Sequence, residues 1–152
     1  MLVRRLRRYH RNAGKRVVKA PKVYIQDSGI VHSLRSITDY NALSGHPVVG
    51  ESWEGFVVEN LISAAPELTR ASFYRTSAGA EIDLVLEIPG HGLWAVDVKG
   101  GLATRRERGF YNACEDLKPS RRFVVNSGTD RYPISEEVEA IGVRELASIP
   151  DV

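Results

Sequence analysis

Two neighbouring stretches of the chain alternate between apolar and polar residues, which is the pattern of β-strands. The apolar residues have even numbers throughout: Ile82, Leu84, Leu86 and Ile88 in the first stretch, and Trp94, Val96 and Val98 in the second. Asp83, Asp97 and Lys99 have odd numbers. The break Pro89-Gly-His-Gly92 separates the stretches, so the pattern predicts a β-hairpin with one apolar face.

The register of this hairpin follows from its apolar positions. Residues that face each other in an antiparallel pair lie on the same side of the sheet, so a single buried face requires facing residue numbers that sum to an even value. A connection of odd length, such as residues 89–91, meets this condition. Asp83 then faces Asp97 or Lys99. The core pattern therefore predicts that two carboxylates and one ammonium group converge.

The remaining elements place this hairpin within a larger fold. We predict strands at residues 21–26, 72–75, 122–126 and 139–143, and helices at residues 29–36, 50–65 and 104–117. The second helix carries an apolar stripe made of Trp53, Phe56, Val57, Leu61 and Ala64. Glu54 lies on or beside this stripe. The order from residue 50 is helix, three strands, helix, strand, which indicates an α/β domain with a mixed central sheet flanked by helices.

Composition indicates an ordinary globular protein without a membrane segment. The chain has 152 residues, of which 43% are hydrophobic and 26% charged, and this length suits one domain. No apolar run approaches the roughly 18 residues of a membrane span. Cys114 is the single cysteine, which excludes an internal disulfide and a thiolate zinc cluster and favours a reducing, cytoplasmic location.

Charge is distributed unevenly along the chain. Residues 1–22 contain nine of the 21 Lys and Arg residues and no acid, so the other 12 bases accompany all 19 acids. A basic segment of this kind could contact nucleic-acid phosphates. It could equally be a solvated tail, or part of a larger domain whose acidic partner lies elsewhere.

The converging carboxylates suggest a metal centre. Two carboxylates a few ångströms apart raise each other's pKa, and a divalent cation relieves the repulsion. Hard oxygen ligands suit Mg²⁺ or Mn²⁺, which can activate water and stabilise charge on a phosphodiester. Lys99 would assist the attacking water, and Glu54 could supply a third carboxylate. The alternative is an exposed strand face with a cross-strand salt bridge. No Walker A loop is present, so we expect no nucleotide site in this chain.

Several arginines are secondary candidates for phosphate contacts. Arg75 could hold a phosphate near the carboxylates or form a salt bridge with Glu81. Arg105 and Arg106, near the start of a predicted helix, could bind a phosphate or lie in solvent. We expect Glu59 to be solvated or to cap a helix, because it lies on a different helix face from Glu54.

Taken together, these residues resemble a known family. The set Gly50-x-x-x-Glu54, Ile82-Asp83 and Val96-Asp97-Val98-Lys99 resembles the PD-(D/E)xK nuclease superfamily. More narrowly, the segment from Lys15 through Pro21-Lys-Val-Tyr24 to Gly29, then Trp53-Glu54-x-Phe56, then Tyr74-Arg-Thr76 with Glu81-Ile-Asp83, is similar to the DUF4143 domain. That domain typically forms the C-terminal part of archaeal and bacterial AAA+ type ATPases.

The resemblance implies a restriction-endonuclease-like fold and a set of site residues. Asp83 and Asp97 would bind Mg²⁺ or Mn²⁺, Lys99 would be the catalytic lysine, and Glu54 would be an accessory acid and metal ligand. Two positions depart from the superfamily pattern: Ile82 stands where proline is common, and Asp97 where glutamate is more frequent. The resemblance also divides the chain into a basic segment at residues 1–20, interpreted as the remnant of an upstream domain, and a nuclease-like domain at residues 21–152.

Two functions of different classes follow from this interpretation. The first is Mg²⁺-dependent hydrolysis of nucleic acid, with DNA favoured over RNA as the partner. The second is a catalytically silent nuclease fold that binds nucleic acid or a protein and serves an AAA+ ATPase, on a separate chain or in an upstream domain. A domain whose acids form only salt bridges is a third interpretation. The sequence leaves open whether the chain forms a homo-oligomer.

Overall fold

The computed structural model of the protein describes residues 3–10, 20–26, 49–100 and 108–151. The strands are β1 (Val3–Leu6), β2 (Lys22–Ile25), β3 (Arg70–Arg75), β4 (Glu81–Ile88), β5 (Gly92–Val98), β6 (Arg121–Asn126), β7 (Tyr132–Pro133) and β8 (Val138–Gly142). The helices are α1 (Val49–Ala64), α2 (Arg108–Leu117) and α3 (Val143–Ser148), followed by a 3₁₀ turn at Ile149–Asp151.

Six strands form one mixed sheet in the order β3-β4-β5-β6-β8-β7. The pairs β3–β4, β4–β5 and β7–β8 are antiparallel, whereas β6 runs parallel to both β5 and β8. Strands β1 and β2 form a separate antiparallel pair. The predicted order of helix, three strands, helix and strand is confirmed, as is a mixed sheet flanked by helices.

Helices cover both faces of the large sheet, so the protein has two apolar layers. On one face α1 and α3 bury Val57, Val58, Leu61 and Leu146 against the sheet. On the other face α2 contributes a second set, Phe110, Ala113, Cys114 and Leu117. Burial of both faces explains why strand positions outside the predicted apolar set, such as Val85 and Ala95, are also fully buried.

The central hairpin has the predicted register. Leu84 pairs with Val96 and Ile88 pairs with Gly92, so the connection is the three-residue loop 89–91. Gly90 and Gly92 both have φ of 81°, a conformation that side chains other than glycine rarely adopt. The odd loop length and these glycines together fix which residues of the two strands face each other.

A β-bulge interrupts the alternation of β4 beside β3. Ser72 pairs with Val85 but Tyr74 pairs with Ile82. Between these two pairs β3 advances by two residues and β4 by three, so β4 carries one extra residue. Ile82 consequently packs in the α2 layer, whereas Leu84, Leu86 and Ile88 pack in the α1 layer. The prediction that all four share one face was wrong for Ile82, because a parity argument assumes uninterrupted alternation.

Some other predictions differ from the structure or fall outside it. Phe56 was placed in the buried stripe of α1 but is 43% exposed, while Val58 is fully buried instead. Strand β7 and helix α3 were not predicted. The predicted helix at residues 29–36 and the first turn of the predicted helix at 104–117 lie outside the described residues. None of the helices in the described ranges combines the length and the apolar character needed to cross a membrane.

Candidate metal centre

Asp83 and Asp97 lie side by side on β4 and β5. Continuing the register of the hairpin by one residue beyond Leu84 and Val96 places them opposite each other. Both are buried, with 8% and 5% of their surface exposed, and a hydrogen bond joins their carboxyl groups. The Val98 amide donates a second hydrogen bond to Asp83 Oδ2 at 2.9 Å. Of the two facing partners that the sequence allowed for Asp83, the structure selects Asp97.

The two carboxyl groups differ in their affinity for a proton. Burial and the hydrogen bond with Asp83 raise the pKa of Asp97 to about 8. Burial also acts to raise the pKa of Asp83, but the hydrogen bond with Asp97, the charge of Lys22 and the Val98 amide outweigh it and lower the pKa. In the absence of a metal, the pair therefore holds one proton, on Asp97, near neutral pH.

Lys99 is held beside Asp97 by the backbone as well as by charge. Its Nζ lies 3.0 Å from Asp97 Oδ2, and its side chain is 19% exposed. The Lys99 amide donates to the Val125 carbonyl at 2.9 Å, and its own carbonyl accepts from Trp53 Nε1 at 2.8 Å. These contacts hold the end of β5 against β6 and α1. The backbone of Lys99 is therefore fixed, and its side chain extends from a defined position next to the carboxylates.

Glu54 is linked to the aspartates through Lys22. Lys22 Nζ lies 3.0 Å from Glu54 Oε1 and 3.3 Å from Asp83 Oδ1. The Tyr24 hydroxyl donates a hydrogen bond to the same Glu54 oxygen. Helix α1 thus supplies the third carboxylate on the side of the site where β2 packs.

Lys22 and Tyr24 are site residues that the sequence argument missed. A signal was present, because Lys22-x-Tyr24 has the two-residue spacing that directs both side chains to one face of a strand. The sequence offers no local indication of which element that face meets. Glu54 lies 32 residues after Lys22 in the sequence and belongs to a different secondary-structure element.

A cleft of about 410 Å³ opens onto the carboxylate pair. Its lining includes Asp83, Asp97, Lys99 and Arg108, the first described residue of α2. Gly109 forms part of the same wall, next to the turn that precedes β4. The site is therefore accessible from solvent although both aspartates are largely buried.

The arginines predicted to contact phosphate have different outcomes. Arg75 Nη2 lies 2.5 Å from Glu81 Oε1, which is the salt bridge considered as the alternative. Arg105 and Arg106 lie outside the described residues. Glu59 was expected to be solvated or to cap a helix, but it accepts two hydrogen bonds from Arg4, at 2.5 and 3.0 Å. That prediction was wrong because β1, left without an assigned structure, pairs with β2 close to α1.

A second feature of the structure is a basic groove of about 860 Å³. The side chains of Arg4, Arg5, Arg7, Arg8 and His10 contribute to its lining. Arg5 and Arg7 are exposed, whereas Arg4 is bound to Glu59. Part of the basic segment is therefore structured and forms a concave, positively charged surface.

The carboxylate pair is chemically suited to a divalent cation. Asp97 retains a proton partly because the Asp83 carboxylate lies next to it. A Mg²⁺ or Mn²⁺ ion would offset the repulsion between the two carboxylates and allow both to be ionised. Within the described ranges, no group of three or more His, Cys, Asp or Glu side chains is already assembled for a metal. The residues present fit an ion that keeps several waters, as Mg²⁺ commonly does, rather than one enclosed by protein ligands.

Comparison with known proteins gives two family matches and two similar relatives. A family model described as a domain of unknown function, DUF4143, matches residues 49–146, and another described as a domain of unknown function, DUF8612, matches residues 1–41. Uncharacterised proteins of Mycobacterium bovis and Mycobacterium tuberculosis are each 35% identical over 153 residues. These alignments cover 100% of this chain and 34% of each relative, so the chain spans about a third of their length. No solved structure matches the chain.

Proposed function

We propose that this chain, which belongs to the DUF4143 family, is a metal-dependent phosphodiesterase that acts on nucleic acid. One observation carries the proposal: two buried, hydrogen-bonded aspartates lie in an open cleft with a lysine ammonium 3.0 Å from one of them. Asp83 and Asp97 would hold Mg²⁺ or Mn²⁺. A bound ion of this kind supplies a Lewis acid that stabilises negative charge on a phosphodiester.

The chain's own groups have distinct roles in this proposal. The Lys99 ammonium beside Asp97 would orient the attacking water or offset the negative charge that develops on the phosphate. Glu54 acts from α1 as an accessory acid, bound to Lys22 and Tyr24. The basic groove supports a polyanionic substrate, since its exposed arginines can pair with successive phosphates. DNA remains the favoured substrate class.

Titration calorimetry with Mn²⁺ tests the metal site directly. We expect the wild type to bind the ion, and the Asp83→Asn, Asp97→Asn double variant to bind it at least about tenfold more weakly, because both proposed ligands lose their charge. Asp130→Asn is the matched control, because it removes an exposed carboxylate in the turn after β6. Equal binding by all three proteins would reject the aspartate site.

Cleavage assays then separate metal binding from catalysis. Lys99→Ala should retain Mn²⁺ binding but cleave single-stranded, duplex or branched substrates about 100-fold more slowly, as expected for loss of a positioned catalytic group. Asp83→Asn should lose both properties. Equal cleavage by the wild type and both variants would identify a contaminating nuclease and contradict the proposal.

The second candidate is a nucleic-acid-binding module that does not cut and accompanies an AAA+ ATPase. The groove favours it, because phosphate binding there does not depend on the carboxylate pair. The matched relatives are about three times as long as this chain, which leaves room for a second module in them. Metal-independent binding of DNA, combined with no cleavage by the wild type in Mg²⁺ or Mn²⁺, would favour this function.

A further inference from the structure

Lys22 has an unusually complete environment for a cation. Its Nζ lies 3.0 Å from Glu54 Oε1, 3.3 Å from Asp83 Oδ1 and 3.4 Å from Glu81 Oε1. The Phe73 ring lies on another side, with its centroid 5.5 Å from the same nitrogen. The lysine side chain is only 14% exposed, so this ammonium group is bound within the fold rather than resting on the surface.

The three carboxylates around Lys22 come from two different parts of the fold. Glu81 and Asp83 lie on β4, and Glu54 lies on α1, which packs on the opposite face of the sheet from α2. Hard carboxylate oxygens converging from separate elements are the donors that Mg²⁺ and Mn²⁺ use. These oxygens lie 3.0–3.4 Å from Lys22 Nζ, whereas oxygen ligands lie roughly 2.1 Å from a Mg²⁺ ion. With the lysine in place, the carboxylates are therefore spaced for an ammonium group and not for a metal ion.

Asp83 is the residue through which this cluster meets the proposed metal centre. Its Oδ1 contacts Lys22, whereas its carboxyl group is also hydrogen-bonded to Asp97, the partner of Lys99. Two cation positions therefore flank Asp83, one on the side of Glu54 and Glu81 and one on the side of Asp97. The first of them contains the Lys22 ammonium group.

We propose that Lys22 acts as a tethered cation that takes the place of a second divalent ion, so that the site binds a single ion on the Asp97 side. This inference rests on the proposed function. It also gives Lys22 a role that a structural salt bridge does not have, because the lysine then sets the number of metal ions. Without the charge of Lys22, Arg75 would still pair with Glu81, but Glu54 and Asp83 would lose the cation held between them, and a second divalent ion would enter.

The test is the stoichiometry of Mn²⁺ binding, measured by titration calorimetry on the full chain and three variants. We expect one ion per chain for the wild type and two for Lys22→Met. Lys22→Arg keeps a positive charge and should bind one. Arg131→Met is the matched control and should also bind one, because Arg131 pairs with Glu139 on β8 and Glu145 on α3 rather than with any acid of the site.

Folding of each variant is checked by circular dichroism and by the fluorescence of Trp53 and Trp94. Lys22→Gln is prepared alongside Lys22→Met, since its amide can still donate to one of the carboxylates if a methionine there prevents folding. The glutamine variant should likewise bind two ions. A folded neutral variant therefore decides the question in either case.

The possible results separate the failure of this inference from failure of the proposed function. One ion bound by both the wild type and the neutral variants, at equal or higher affinity in the latter, would overturn the role of Lys22 and leave the metal centre intact. Binding by the neutral variants alone would overturn metal binding by the wild type but support a cation position held by Lys22. No binding by any protein would overturn both.

Discussion

The carboxyl group of Asp97 keeps its proton at pH values where an exposed aspartate has lost it. Burial and the hydrogen bond with Asp83 raise its pKa from 3.8 to about 8. The unfolded chain therefore releases this proton at a lower pH than the folded chain does. Because the folded state binds more protons between these two values, the stability of the metal-free protein should fall as the pH rises from about 5 to 8.

Asp97→Asn should remove most of this pH dependence. An asparagine amide can donate to Asp83 without having a proton to lose, so the free energy of unfolding should no longer decline across this range. In the wild type the decline is at most about 1.4 kcal/mol per pH unit for one group. Melting temperatures measured by calorimetry with a chelator present, at about pH 5, 6, 7 and 8, would provide the comparison.

Glu137→Gln is the control for this experiment. Its side chain is 65% exposed and pairs with Arg122 rather than with either aspartate. This variant should show the same decline as the wild type over the same pH range. A decline that persists unchanged in Asp97→Asn would show that another group governs the pH dependence.

The contact between α2 and the turn before β4 depends on the absence of a side chain at Gly109. A Cβ atom there would lie 2.5 Å from the Gly79 carbonyl oxygen, which is closer than such atoms approach in real structures. The neighbouring atoms are backbone, so they cannot move aside as a flexible side chain would. Because Gly79 and Gly109 both line the cleft, the close packing of this helix also shapes the candidate site.

Gly109→Ala should therefore destabilise the protein, despite alanine's higher helix propensity. We expect a loss of about 1–3 kcal/mol in the free energy of unfolding, measured with urea, as for other substitutions that overfill a packed region. Gly50→Ala in α1 is the matched control, because nothing lies within 4 Å of the position that a Cβ atom would take there. That variant should gain up to about 1 kcal/mol. Equal gains in both helices would contradict the role given to Gly109.

The predictability of the hairpin and of Glu54 differs for a physical reason. The convergence of Asp83 and Asp97 could be predicted because the apolar alternation and the loop length are both local features of the sequence. Together they determine the register of the hairpin. The bulge opposite β3 could not, since it depends on how Ser72 and Tyr74 pair with a neighbouring strand. Apolar periodicity likewise placed Glu54 near the core but did not distinguish buried Val58 from exposed Phe56.

The contacts of β1 and β2 could not be predicted because they are long-range. Lys22 meets Asp83 across 61 residues and Arg4 meets Glu59 across 55, and neither pair leaves a periodic signal in the sequence. The basic charge of residues 1–22 was evident, but its division between internal ion pairs and an exposed groove was not. That division depends on where the two-stranded sheet packs against α1 and β3.

The uneven charge of the whole chain has two separate consequences in the structure. Arg4 and Lys22 neutralise acids of the domain, whereas Arg5 and Arg7 are exposed in the basic groove. The net charge of +2 therefore conceals a localised positive surface on a body that carries all 19 acids. A polyanion should be drawn to this surface, and its affinity should decrease as salt screens the phosphates and competes for them.

The Arg5→Gln, Arg7→Gln double variant should bind duplex DNA more weakly and with less dependence on salt. Each lost phosphate contact should reduce the slope of log affinity against log salt concentration by about 0.9, so two contacts should reduce it by about 1.8. Fluorescence anisotropy with a labelled duplex, without divalent ions and at several salt concentrations, measures both quantities. The Arg131→Gln, Arg144→Gln control removes two exposed arginines that do not line the groove, one just before β7 and one in α3, and should keep the wild-type slope. If the salt slope decreased by the same amount in both double variants, binding would depend on total charge, and the groove would have no specific role.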